Sequence, residues 1–328
     1  MVSPNPNISV FKTTDLLFSC DWGTSSFRLG LIDRDSEEVL YSRSTRGGIK
    51  KLDHEWKQQI NSSTRESFFL NYLEQQIQQL GEQISRPLNK IPVISSGMVS
   101  SSIGMYELPY ASVPFSLKKP VLPQKLILQT NKFPRDLLII SGIRTAKDVM
   151  RGEEVQLVGL DSDHELKNAI CVIPGTHSKH VFVEDNTVVD FKTYMSGELF
   201  ELLCSHSVLA ASVQDSEQPL NIDAFHEGLE EARQKDFLHA IFGIRTNDLL
   251  LGLHKRRNLD LLSGLVIGTE IQSLTELDYD RGIYLAGSGP LIDRYQKALQ
   301  FMSLQTETIV QPDRLTLKGH LRIINSNS

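Results

Sequence analysis

The stretch Leu16–Asp33, LLFSCDWGTSSFRLGLID, constrains the fold more than any other part of the chain. It reads as an apolar strand ending in an acidic residue, Asp21. A turn of small residues follows, Gly23, Thr24, Ser25 and Ser26, and then a second strand carrying Leu29, Leu31 and Ile32. The result is a hairpin with a carboxylate at its tip. Gly23 permits close backbone approach, the amides and hydroxyls of Thr24, Ser25 and Ser26 suit phosphate oxygens, and Asp21 suits a Mg²⁺ ion held through its water shell. The chemistry indicated is phosphoryl transfer from a nucleotide, although a plain acidic β-turn carries the same pattern.

A chain of 328 residues is long for one core and comfortable for two lobes with a cleft. With 34 Lys plus Arg against 40 Asp plus Glu, the net charge is -6 and offers no polybasic footprint for nucleic acid or an anionic membrane. Small-molecule partners are favoured. Cys20, Cys171 and Cys204 are widely spaced and each sits among apolar neighbours, which points to reduced thiols and a reducing compartment. No apolar run approaches the ~18 residues of a membrane span, and the first residues lack the basic-then-apolar order of a signal peptide, so a cytoplasmic location is expected. Residues 1–14, with Pro4 and Pro6, read as a disordered lead-in. The basic cluster Lys255, Arg256, Arg257 reads as a solvated helix end or loop.

Beyond the hairpin, a third strand is expected around Val39–Ser42 and a helix through Phe69, Tyr72, Leu73, Ile77 and Leu80 that stops at Gly81. Buried strands follow at Pro92–Ser95 and Leu137–Ile140. The pattern then restarts: an apolar strand at Ala169–Ile173, the turn PGTHSKH, and strands at Val181–Val183 and Thr187–Phe191. Helices are expected at Gly197–Leu203, Phe225–Phe237 and Leu259–Leu274, and a strand at Ile283–Leu285 enters AGSGPLIDRY. These elements give an α/β protein with mixed sheets flanked by helices, a first lobe over 15–145 and a second over 146–328. A closing helix around Leu315–Ile324 is expected to return to the first lobe.

Five clusters carry chemistry: DWGTSS at Asp21, SGMVSSSIGMYELPYASVP at Ser96, DVMRGEEVQLVGL at Asp148, PGTHSKH at Pro174 and AGSGPLIDRY at Ala286. In this order they resemble the 2-dehydro-3-deoxygalactonokinase family, a branch of the sugar kinase, Hsp70 and actin superfamily, from about Leu16 to Ala298. The resemblance implies a two-lobed actin-like ATPase fold of duplicated ribonuclease-H-like domains, with ATP and Mg²⁺ as cofactors. The implied reaction is phosphorylation of 2-dehydro-3-deoxy-D-galactonate at its 6-hydroxyl, giving 2-dehydro-3-deoxy-6-phosphogalactonate. Alternatives are a kinase for 2-dehydro-3-deoxygluconate or another sugar acid, and a non-catalytic sugar-acid sensor of the same fold. A homodimer is compatible with all of them.

By the same resemblance DWGTSS and PGTHSK are two phosphate loops, the second offering Gly175, Thr176, His177 and Lys179. Ser96, Gly97, Met98 and Val99 line the sugar-acid pocket, with Tyr106, Glu107, Pro109 and Tyr110 behind them, and Gly287, Ser288 and Gly289 form an adenosine-binding turn. Phosphoryl transfer also needs a base at the attacking hydroxyl. In DVMRGEEVQLVGL, helical spacing places Glu154 with Met150, Leu157 and Val158, and Glu153 with Val149 and Leu160, so at least one glutamate is held against apolar side chains. A buried carboxylate has a raised pKa, which suits a proton acceptor. Glu153 or Glu154 is the expected base, with Asp148 as rival. Arg144 and Arg151 are candidates for the substrate carboxylate, which a guanidinium binds bidentately, though either could pair with Glu153 or Asp148. Two departures stand out: His180 replaces the family's usual Trp after GTHxK, and Gln311, Pro312, Asp313 replace a Gly-Asp turn. They put the base-binding wall in doubt. No G-x-x-x-x-G-K-[ST] string, zinc-ligand spacing or G-x-S-x-G elbow occurs.

Overall fold

Alternation of apolar side chains sets the opening hairpin: Leu16–Trp22 (β1) pairs antiparallel with Phe27–Asp33 (β2), Asp21 facing Arg28. The structure is a computed structural model and describes residues 8–59, 63–84, 88–214, 219–276, 281–287, 289–310 and 312–326. The other longer strands are β3 (Glu38–Thr45), β4 (Val93–Gly97), β5 (Gln124–Ile127), β6 (Leu137–Ile140), β7 (Asn168–Ile173), β8 (Ser178–Glu184), β9 (Thr187–Tyr194), β10 (Gly282–Ala286) and β11 (Thr306–Val310). The α-helices are α1 (Ser9–Thr13), α2 (Ile49–Gln58), α3 (Arg65–Gln83), α4 (Glu153–His164), α5 (Ser196–His206), α6 (Ile222–Gln234), α7 (Phe237–Leu251), α8 (Lys255–Ile271), α9 (Gly289–Phe301) and α10 (Pro312–Ser326).

Contacts divide the chain into two compact units. The first is Met1–Lys167 with Val183–Asp190 and Pro312–Ser328, and the second is Asn168–Phe182 with Phe191–Gln311. In the first unit the sheet order is β3-β2-β1-β4-β6-β5, with β1, β4 and β6 mutually parallel and the two edges antiparallel. In the second sheet the order β9-β8-β7-β10-β11 repeats the first five strands of that series, again with the third, fourth and fifth parallel, and the short strand Phe115–Ser116 adds antiparallel to the outer side of β9. The duplication extends to the helices. Within the first unit α4 and α10 cross at Gly159 and Gly319, where an added Cβ would lie 2.0 Å from the carbonyl oxygens of Leu315 and Val155 respectively. Within the second, α6 and α8 cross at Gly228 and Gly264, each 2.1 Å by the same measure from the carbonyls of Leu261 and Phe225. Glycine inside a helix costs about 1 kcal/mol relative to alanine, so its use on both partners of both pairs marks where backbones must touch.

The division falls at Lys167 rather than near Thr145. The physical reason is long-range: the Asn186 side chain donates to the Asp161 carboxylate on α4 at 2.6 Å, and its amide donates to the Leu166 carbonyl at 2.7 Å. Residues 183–190 and α4 are thereby held in one unit with α10. The expected lead-in is shorter than 1–14, because Ser9–Thr13 is helical and Phe11 is fully buried; residues 1–7 lie outside the described residues. The long helix α3 runs past Gly81 to Gln83, and a second helix, α7, follows α6 where a single one was expected.

Candidate active site

In the first unit the hairpin tip is closed by the Gly23 amide donating to the Ser26 carbonyl at 2.8 Å. The first amides of α2, Ile49 and Lys50, donate to the carbonyls of Gly23 and Thr24 at 3.0 and 3.1 Å. Gly48 makes this close approach possible, since an added Cβ would lie 2.3 Å from the Thr24 oxygen. The Trp22 indole donates to the Gly47 carbonyl at 2.9 Å and anchors the turn to the aromatic core of Phe27, Phe69 and Tyr72. Thr24 and Ser25 are thus presented on a braced turn.

Asp21 is the next-to-last residue of β1, and its Oδ2 accepts from Arg28 at 2.8 Å. Two glycines face its Oδ1: Gly97 (φ +87°) ends β4, and an added Cβ there would lie 3.3 Å from Oδ1, while one on Gly152 (φ +109°) would lie 3.7 Å away. Gly152 is the residue before α4, so the Asp21 carboxylate lies beside that helix N-terminus. One carboxylate set against two glycines suits a Mg²⁺ ion that keeps its waters and is held mainly by nucleotide phosphates. No cluster of three metal-ligating side chains occurs among the described residues.

The two glutamates of α4 separate into different environments. Glu154 is fully buried, and both its oxygens accept from the Gly152 amide, at 2.9 and 2.8 Å. Burial first, and then the neighbouring Glu153 charge, pushes its pKa up to about 8. Glu153 is half-buried at the first turn. Asp148 has its Oδ1 occupied by the Val149 amide at 2.7 Å, in a turn also fixed by Thr145 Oγ1 accepting from the Asp148 amide at 2.9 Å.

Of the residues expected at the sugar acid, Ser96 and Gly97 pair in register with Asp21 and Trp22. Ser96 Oγ is buried with no hydrogen-bond partner among the described residues. Val99 does not line a surface: it is fully buried in the first unit's core, with Met98 and Tyr106 packed against that core. Glu107 and Pro109 are exposed. Arg151 is already engaged, donating to the Ser100 hydroxyl at 2.8 Å, the Ser141 hydroxyl at 3.1 Å and the Leu108 carbonyl at 2.7 Å, with its guanidinium 3.8 Å from the Tyr110 ring centre. It ties the 98–110 loop to the residues leading into α4. Arg144, by contrast, is exposed.

In the second unit, PGTHSKH joins β7 to β8. Pro174–His177 form the half-exposed tip and Ser178–His180 are buried. The Glu198 amide at the start of α5 donates to the Thr176 carbonyl at 3.0 Å, and the Glu198 carboxylate meets His177 Nε2 at 2.7 Å. Lys179 lies beneath the turn, only 3 % exposed, and its ammonium donates to the His177 carbonyl at 2.8 Å. His180 is also buried, against the Glu270 carboxylate at 3.0 Å and the Tyr194 ring at 4.5 Å, so the residue that departs from the family pattern belongs to the core.

Next to this turn is a cavity of about 840 Å³, lined among others by Gly175, Ser196, Phe200, Cys204, Pro290 and Leu291. One end is the glycine of PGTHSK and the other is the start of α9, directly after AGSG; Ser288 itself lies outside the described residues. The volume falls within the ~300–1,000 Å³ of small-molecule sites. Two of its lining side chains, Arg256 and Arg294, meet at a group that the sequence reading missed: Asp260, fully buried, accepts from Arg256 at 3.1 Å and Arg294 at 2.7 Å. Arg256 is therefore not solvated as expected, and the i, i+4 spacing of Arg256 and Asp260 on α8 is the signal that could have shown it.

The 2-keto-3-deoxy-galactonokinase family model matches residues 21–323, from the hairpin carboxylate into the last helix. The chain belongs to this family. It is 30% identical over 295 residues to the 2-dehydro-3-deoxygalactonokinase of Escherichia coli (strain K12), spanning 88% of this chain and 91% of the relative. A crystal structure of a Sinorhizobium meliloti protein assigned as a 2-dehydro-3-deoxygalactonokinase superposes with a TM-score of 0.78 at 29% identity, covering 94% of this chain and 95% of that one. The Acidaminococcus fermentans (R)-2-hydroxyglutaryl-CoA dehydratase component A shares the fold, with a TM-score of 0.50 at 9% identity over 96% of this chain and 99% of that one. No described helix is long and apolar enough to cross a membrane.

Proposed function

We propose that this chain is a cytoplasmic carbohydrate kinase that transfers the γ-phosphoryl group of ATP to the 6-hydroxyl of 2-dehydro-3-deoxy-D-galactonate. Family membership supports the reaction, and the observation that carries the nucleotide assignment is the second-unit cavity bounded by Gly175 and by Pro290 and Leu291. Two motifs far apart in sequence meet around one space of nucleotide size.

On this reading the base and ribose occupy that cavity, and the Thr176–His177 tip with its Glu198 brace meets the phosphates. Thr24 and Ser25 of the first unit's hairpin are the other phosphate-binding groups, and Asp21 would hold the water shell of the Mg²⁺ that accompanies ATP. That ion, when bound, neutralises the phosphate charge. Glu153 takes the proton of the 6-hydroxyl as its oxygen attacks phosphorus and the bond to ADP breaks. Glu154 cannot touch substrate, being sealed in the interior, and holds the N-terminal turn of α4 through Gly152. Arg144 is the guanidinium available to the substrate carboxylate, while Arg151 fixes the 98–110 loop that follows Ser96 and Gly97 of β4.

The test is ADP release by the purified protein with ATP and Mg²⁺ against a panel of 2-keto-3-deoxy sugar acids. Fastest turnover with the galactonate supports the assignment. Preference for the gluconate epimer moves it to the second kinase reading, and tight sugar-acid binding without ADP release moves it to the sensor.

A further inference from the structure

Beneath the PGTHSK turn the hydrogen bonds converge on Glu270. The Gly175 amide donates to Ser178 Oγ at 3.4 Å, and Ser178 lies 2.9 Å from the Tyr295 hydroxyl. Tyr295 donates to Glu270 Oε2 at 2.6 Å, and the other Glu270 oxygen accepts from His180 Nε2 at 3.0 Å. Because the phenol proton goes to the carboxylate, the Ser178 hydroxyl donates to the phenol oxygen, where Ser196 forms a further hydrogen bond. Four elements converge on one oxygen: β8 through Ser178, α5 through Ser196, α8 through Glu270 and α9 through Tyr295 itself.

The turn before β8 and the helices α5, α8 and α9 wall the cavity, which Gly175, Ser196, Ser263, Pro290 and Tyr295 line. Tyr295 is 2 % exposed, and a phenylalanine would fill the same volume without a buried hydroxyl that must be hydrogen-bonded. A phenol makes sense here as a strut that fixes the distance between the turn and α9. Sequence reading could not show it, since Ser178, Glu270 and Tyr295 are brought together only by the fold.

We propose that Tyr295, acting through Ser178 and Glu270, is a positioning residue for the nucleotide: it sets the width of the cavity and the angle of the PGTHSK turn. The inference rests on the kinase reading given above. It requires that loss of the phenol hydroxyl weaken nucleotide binding and leave the sugar-acid site, which is built in the first unit, unchanged.

The experiment is calorimetric titration of ADP into wild type, Tyr295→Phe, Ser178→Ala and the double variant, with KM for ATP and for the sugar acid measured alongside. Ser178→Ala breaks the chain at its loop end and keeps the Tyr295–Glu270 and Glu270–His180 bonds, so it serves if Tyr295→Phe folds poorly. Each single variant is expected to weaken ADP binding and raise KM for ATP about tenfold, with KM for the sugar acid unchanged. The double is expected to be no worse than the worse single, as residues of one network are not additive. Wild-type ADP affinity in both folded single variants, with only a lowered Tm, overturns the positioning role and leaves the kinase reading standing. A wild-type protein that binds no nucleotide overturns the kinase reading and the inference with it.

Discussion

Glu154→Gln isolates the cost of a buried carboxylate at the head of α4. The pKa of Glu154 rises from an ordinary 4.5 to about 8 on folding, chiefly because burial penalises the anion. Between these values the folded protein binds the proton more tightly than the unfolded chain does. The protonated carboxyl therefore contributes its full stability below pH 4.5, and that contribution is lost as pH rises through 8. The slope is about 1.4 kcal/mol per pH unit in the middle of the window and flattens near each pKa, which gives about 3.5 kcal/mol between pH 5 and pH 8. Glutamine stays neutral, retains an oxygen to accept from the Gly152 amide, and has no such slope. The assay is urea unfolding followed by tryptophan fluorescence, because Trp22 and Trp56 both lie in the unit that contains Glu154. His320, buried on α10 with its pKa lowered to about 3 by burial, acts in the opposite sense: its contribution is present above pH 6.5 and is lost as pH falls toward 3. It is common to both proteins and cancels in their difference. The variant is expected to match wild type near pH 5 and to gain on it steadily up to pH 8. A gap that is constant across this range would refute the buried-carboxylate argument.

Three further outcomes follow from the site. Asp21→Asn is expected to lower kcat by two or more decades, the roughly several kcal/mol of metal-assisted charge stabilisation, with an unchanged circular dichroism spectrum; near-normal turnover removes Asp21 from the machinery. Glu153→Gln is expected to cost about 10² to 10⁴ in kcat while ADP still binds in titration, and Asp148→Asn to cost little; the reverse order moves the base to Asp148. Cys20 and Cys171 are fully buried whereas Cys204 lines the second-unit cavity, so ADP is expected to slow alkylation of Cys204 by iodoacetamide, as followed by peptide mass spectrometry; an unaltered rate places the nucleotide elsewhere.

What the sequence displays is what local physics controls. Period-two apolar runs and glycine turns located β1, β2, β6, β7 and both hairpin tips, and the restart of that pattern after Asn168 anticipated the repeated strand order. Helix α7 was missed because its apolar residues do not mark a core face: Leu238, Phe242, Leu249, Leu250 and Leu251 are exposed, while Ala240 and Ile244 are buried. The boundary was misplaced because Asn186 binds Asp161 and Leu166, contacts with no local signature. Helical spacing showed that a glutamate of the RGEE string must be buried, and the structure identifies it as Glu154. The engagement of Arg151, the burial of Lys179 and the His180–Glu270 pair depend on partners distant in the chain, and composition alone reads all of these residues as solvated or ligand-facing.

The most direct measurement is ³¹P nuclear magnetic resonance of the purified protein incubated with ATP, Mg²⁺ and 2-dehydro-3-deoxy-D-galactonate. Carbon 6 of this acid is a primary alcohol, so transfer to its hydroxyl is expected to give one new phosphomonoester resonance, split into a triplet by the two protons on that carbon, as the γ-phosphate signal disappears. Release of inorganic phosphate alone, or an ATP spectrum that stays unchanged in the presence of the sugar acid, would contradict the account.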